Sequence, residues 1–165
     1  MITDWQTLVD ALREEVTEYG GLLNLFEKQQ AAILRREADE VLSVNDSIEL
    51  QVRILEARRK ERELVAHGHA ASIGRPADIT LRELTSFFEE PVRPLLLALI
   101  DEVNSLVSRS RRRAQQNQML LARCIEVSQQ IIQRLNPAGV TTTYNPNGRV
   151  MISVSDPQPR CIAKR

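Results

Sequence analysis

Apolar residues recur at heptad spacing from the start of the chain: Trp5, Leu12, Tyr19, Phe26 and Ile33 fall seven apart. Leu8 and Leu22 occupy a second seam position, which Glu15 and Gln29 interrupt, while Val9, Val16 and Leu23 widen the stripe. A strand repeats every two residues, so this pattern demands a long helix with one apolar face, as in a bundle or coiled coil. Thr3 with Gln6 reads as a capping box, and the helix is expected over about 4–36. Gly20-Gly21 costs roughly 1–2 kcal/mol of helix propensity and predicts a local bend.

A second helix is expected over 39–66, from Val41, Asn45, Ile48, Val52 and Leu55. Beyond Leu55 the run EARRKEREL keeps only Leu64 and Val65 as apolar followers, which predicts an end that projects into solvent. The short turn between these helices makes them antiparallel neighbours. HGHAASIGRPAD (67–78) has two glycines, a proline and no periodicity, and reads as a loop. Thr80 with Glu83 forms a capping box, with Ile79 and Leu84 as the hydrophobic staple, so a short helix is expected over 80–90.

The last helix, 92–135, opens with Pro91 and Pro94, which a first turn tolerates. Its stripe runs from Leu96 through Val103, Ser110, Asn117 and Cys124 to Leu135. At ~1.5 Å per residue such a helix is roughly 66 Å long, while a compact globule of this chain length has a radius of gyration of roughly 15 Å. The expectation is therefore all-α: an elongated antiparallel bundle of three long helices and one short one over 1–136. Asn136-Pro137-Ala138-Gly139 stops the helix. The β-prone stretches flanking Asn145-Pro146-Asn147-Gly148 allow a short hairpin, but an isolated hairpin is marginal in water. An extended, mobile C-terminal tail is expected over 137–165.

Composition narrows the function classes. The 22 basic and 22 acidic residues cancel, which argues against a strongly basic nucleic-acid binder. The cancellation hides two halves: 1–102 carry 12 basic against 20 acidic residues, and 103–165 carry 10 basic against two acidic. Either the halves pack together and neutralise, or the basic part meets an acidic partner. Cys124 and Cys161 form no disulfide framework or zinc spacing, and a reducing compartment fits. No run of ~18 apolar residues suggests direct membrane insertion. MITDWQTLVDALREE lacks the basic start of a secretory signal, so a cytoplasmic location is expected.

Few residues invite chemistry. His67 and His69 form an HxH with no evident third ligand, so no metal is expected. No GxSxG, P-loop, GxGxxG or HExxH is present, and the acidic pairs read as solvated faces; neither catalysis nor a cofactor is expected. Arg109, Arg111, Arg112 and Arg113 make the sharpest basic cluster, a phosphate or acidic-surface contact or else a solvated patch. No aromatics interleave with them to stack bases. Ser110, Ala114 and Asn117 thin the apolar seam in mid-helix. Beyond them Met119, Leu120, Leu121, Ile125, Val127, Ile131, Ile132 and Leu135 form a face broader than one partner helix needs, either core on two sides or a docking surface. Tyr144 is the one aromatic outside the helices, an interface anchor or an idle side chain.

Three features together resemble the FlgN family of flagellar export chaperones. They are the long first helix followed by READEVLSVNDSIELQVRILEARRKE, the Asn117, Leu120, Leu121 pattern in NQMLLARCIEVSQQIIQRL, and Tyr144-x-x-x-Gly148 in TTTYNPNGRV. The specific part of the resemblance is 117–150; residues 67–94 match nothing diagnostic. The resemblance implies a cytoplasmic, non-enzymatic chaperone that binds hook-associated (hook–filament junction) proteins and delivers them to the type III export gate. It implies that Asn117, Leu120, Leu121, Ile125, Ser128, Ile131, Ile132 and Leu135 engage a C-terminal helical segment of the substrate. It implies that Tyr144 and Gly148 dock on the cytoplasmic domain of the gate. A homo-oligomeric coiled-coil scaffold, and a nucleic-acid regulator using Arg109–Arg113, stand as the alternatives.

Overall fold

A computed structural model describes residues 4–76, 78–135, 140–144 and 150–154. The chain divides into two compact units, Met1–Leu120 and Leu121–Arg165. Three long helices and one short one make up the helical part: α1 (Gln6–Arg35), α2 (Ala38–Ser72), α3 (Leu81–Leu84) and α4 (Arg93–Leu135). The expected all-α bundle is thus the observed architecture.

In the first unit, α2 runs antiparallel to α1 and α4 parallel to it. Asn45 of α2 meets Gln29, Leu55 packs with Leu22 and Phe26, and Arg62 meets Glu15, in descending order along α1. On α4, Leu96, Ile100 and Val103 share a cluster with Leu8, Val9 and Leu12, and Asn117 meets Phe26 and Gln29. The main cluster sits at the α1 N-terminal end and is sealed by the segment between α2 and α4, through Leu84, Phe88 and Val92. Phe88, Leu8, Leu12, Leu84 and Leu96 are fully buried there, each stabilising the fold by about 1.5–3 kcal/mol relative to exposure.

Several local expectations change. Helix α1 begins at Gln6 and runs unbroken through Gly20 and Gly21; no side chain caps it at Trp5, and Thr3 lies outside the described residues. A Cβ on Gly21 would meet the Gln51 side chain at 3.3 Å. Gln51 instead lies across this smooth surface and donates to the Glu18 carbonyl at 3.0 Å. At its end Glu37 N–H reaches Ala32 O and Arg36 N–H reaches Ile33 O, with Arg36 at φ 60°. This is a Schellman stop carrying arginine where glycine is usual.

Helix α2 does not stop at 66, and its charged end does not project. Residues 67–72, read above as loop, are helical. Val65, Ala66 and Ile73 pack on the main cluster, and Ala70 is fully buried in it. His69 sets its ring edge-on to Phe88, with centroids 5.4 Å apart. These contacts outweigh the ~1 kcal/mol helix cost of Gly68. The stop comes at Gly74, with φ 66°, where Arg75 N–H reaches Ala70 O and Gly74 N–H reaches Ala71 O.

The Thr80–Glu83 capping box forms in both directions, at 3.2 and 3.0 Å. The helix behind it is shorter than expected, one α-turn and then a 3-10 turn over Thr85–Phe87. Arg93 Nε donates to Phe88 O at 2.9 Å and ties the start of α4 to this segment. In the second unit, the C-terminal tail carries strands β1 (Val140–Tyr144) and β2 (Val150–Val154), antiparallel with Val140 opposite Val154 and Tyr144 opposite Val150. These are the two β-prone stretches that flank the turn sequence.

Candidate partner-binding face

The first unit carries two polar contacts inside its apolar seam. Glu15, 1% exposed, holds Arg62 Nε at 2.8 Å from its Oε2. Burial pushes the Glu15 carboxyl above its ordinary value, against the pull of Arg62 and Arg59. Two heptads on, Gln29 Nε2 donates to Asn45 Oδ1 at 2.5 Å, and Asn117 Nδ2 donates to Gln29 Oε1 at 2.7 Å and to Phe26 O at 2.8 Å. The residues that interrupted the sequence seam are therefore the ones that join α1 to α2 and α4. Polar types at seam positions on three helices are a signal in the sequence, but pairing them needs the fold.

Asn117 is thus 2% exposed and committed to the bundle, and the structure does not bring it together with the other residues of the expected face. Its neighbours differ. Leu120, Leu121, Cys124 and Val127 are half-buried, while Ile125, Ser128, Ile131, Ile132 and Leu135 are exposed. Leu121, Ile125, Ser128, Ile132 and Leu135 follow alternating steps of four and three, which places them on one row of the helix. Leu120, Cys124, Val127 and Ile131 form the adjoining row. Ser128 Oγ donates to Cys124 O at 2.8 Å, so the one hydroxyl in the first row is satisfied within the helix. No residue of α4 after Asn117 is buried; Ile132 is 44% and Leu135 80% exposed. Exposed Met119 adds to the apolar surface nearby. Helix α1 ends at Arg35, less than two turns past Gln29, whereas α4 runs about five turns past Asn117.

Tyr144 ends β1 opposite Val150. Gly148 lies outside the described residues. In the basic cluster, Arg113 is half-buried, with Nη1 2.9 Å from Gln30 Oε1 and Nη2 3.9 Å from Glu27. Arg109, Arg111 and Arg112 are exposed and make no ion pair among the described residues. His67 is exposed on α2, and His69 Nε2 lies 3.4 Å from Thr7 Oγ1. Among the described residues no group of three metal-ligating side chains occurs, and no helix is long and apolar enough to cross a membrane.

Contiguous exposed apolar area on a helix is the kind of surface that an amphipathic partner helix buries. The chemistry available on α4 is burial and shape, with Arg123 and Arg134 as exposed charges nearby. A family model described as FlgN protein matches residues 1–151, which takes in α1–α4, Tyr144 and Gly148. No curated protein and no solved structure matches the chain.

Proposed function

Because the chain belongs to the FlgN family, whose membership implies a chaperone of flagellar biogenesis, we propose that it is a flagellar export chaperone for hook–filament junction proteins. The observation that carries this reading is the apolar row of α4, from Leu121 to Leu135, which has no buried position. A junction protein whose terminal segment forms an amphipathic helix would cover this row, and its own apolar stripe would be hidden from self-association. The proposed contacts are Leu120, Leu121, Ile125, Ile131, Ile132 and Leu135, with Ser128 inside the row. Asn117 acts in this reading by anchoring α4 in the bundle rather than by touching substrate. Hiding the partner's stripe needs only a reversible contact, and much of its binding energy is offset by ordering the partner. The work is binding and delivery, with no enzymatic step.

Tyr144, apolar with a polar tip, would dock on the cytoplasmic domain of the export gate, with Gly148 in the same motif. The deciding experiment is co-purification with a junction protein from cells that assemble flagella, where the chaperone would act in the cytoplasm. Leu121→Asp with Ile132→Asp is expected to abolish it while helicity by circular dichroism persists; undiminished recovery removes α4 from the reading. Tyr144→Ala is expected to leave that recovery intact and to weaken binding to the gate domain. Equal gate affinity in the variant would remove the tail assignment.

A further inference from the structure

We infer that Glu15 and Gln29, with their partners Arg62, Asn45 and Asn117, are a register lock: positioning residues that fix the axial alignment of the three long helices. The inference stands whatever the exposed part of α4 engages.

The seam position of α1 reads Leu8, Glu15, Leu22, Gln29, alternating leucine and polar at seven-residue steps. The matching row of α4 reads Leu96, Val103, Ser110, Asn117, and continues with Cys124. Heptad periodicity alone does not distinguish the observed alignment from one slipped by seven residues, because every apolar row still meets an apolar row. Such a slip would also carry Leu96, fully buried in the main cluster, past the start of α1 at Gln6. The polar contacts oppose it. A slip that takes Cys124 to Gln29 carries Asn117 to Leu22. Gln29 then loses its donor, and Asn117 loses both Gln29 Oε1 at 2.7 Å and Phe26 O at 2.8 Å. The same holds for α2. A slip that brings Leu55 to Glu15 removes Arg62 from a carboxylate that is 1% exposed. Unpaired buried polar groups cost more than their pairs contribute, so the lock acts by penalising wrong alignments more than by stabilising the right one. Because the polar positions recur only every second heptad, a one-heptad slip of either helix separates its polar residues from their partners on α1.

Distances between spin labels test this directly. In a Cys124→Ser, Cys161→Ser background, labels at exposed Lys28 and Gln118 report the alignment of α1 and α4, and labels at Lys28 and Ser47 that of α1 and α2. The parent is expected to show one narrow distance in each pair. Replacing the layer by Gln29→Leu, Asn45→Leu and Asn117→Leu is expected to raise the denaturation midpoint, yet to add a second α1–α4 population. The added population reflects a helix displaced by about 10 Å along its axis. A narrow, parent-like distribution in this variant, or a broad one in the parent, overturns the lock. Should the triple variant lose its helicity, the charge exchange decides. Glu15→Arg alone is expected to broaden the α1–α2 distribution, and Glu15→Arg with Arg62→Glu to narrow it again. A distribution unchanged by Glu15→Arg, or not narrowed by the exchange, overturns it equally.

Discussion

Helix α4 carries two apolar stretches that look alike in sequence and differ in their surroundings. From Leu96 to Leu106 its stripe is buried, and the seam closes on Ser110 and Asn117. From Leu121 to Leu135 a stripe of the same period contains no buried residue. Periodicity states which face of a helix is apolar; it does not state whether anything covers that face. The polar residues between the two stretches are the more informative part, because Asn117 is the last buried position of α4.

The largest expected effect sharpens this contrast. Leu96→Ala in the buried stretch is expected to cost about 2–5 kcal/mol by chemical denaturation, because it opens a cavity in a fully buried site. Ile132→Ala in the exposed stretch is expected to stay within about 0.5 kcal/mol of the parent. Equal losses at the two positions would break the comparison. Asn117→Ala follows: it strips a donor from Gln29 and from Phe26 O, and a loss of about 1–3 kcal/mol is expected.

A smaller effect lies in the pH dependence. Burial raises the Glu15 pKa above its ordinary 4.5, so the folded chain holds this proton more tightly than the unfolded one. The associated stability is fully present below the unfolded value and is lost as pH rises through the folded value. Glu15→Gln cannot lose it, so its stability relative to the parent is expected to rise as pH increases from about 4.5 towards neutrality. Denaturation midpoints at several pH values check the sign, and an unchanged difference would show that Arg62 fully compensates the burial. His69 has the opposite sense. Burial lowers its pKa below 6.5, so its neutral form belongs to the fold and stability falls as pH drops through that region. The smallest effect is at the α1–α2 turn. Arg36→Gly relieves a left-handed backbone and is expected to raise stability by roughly 0.5–1 kcal/mol, read from the same denaturation curves.

The helices, their order and the capping box at Thr80 were legible because each depends on local spacing and on caps a few residues away. The extension of α2 to Ser72 was not legible. HGHAAS has poor helix propensity, and only the seat of Ala70 in the main cluster and the edge contact of His69 with Phe88 hold it helical. The apolar row Leu121–Leu135 was readable from its period, whereas Asn117 joined the expected contacts only through the family resemblance. Its burial follows from Phe26 and Gln29, far away in sequence.

The sequence by itself determined that this chain forms long amphipathic helices and which side of each is apolar, since both follow from the 3.6-residue turn. Only the tertiary structure decided which of those sides are covered, and which seam polar residues are partners rather than defects. A seven-residue repeat matches itself at every heptad, so the choice among alignments rests on contacts such as Glu15 with Arg62 and Gln29 with Asn45 and Asn117. Those pairs join residues too distant along the chain for any local rule to connect.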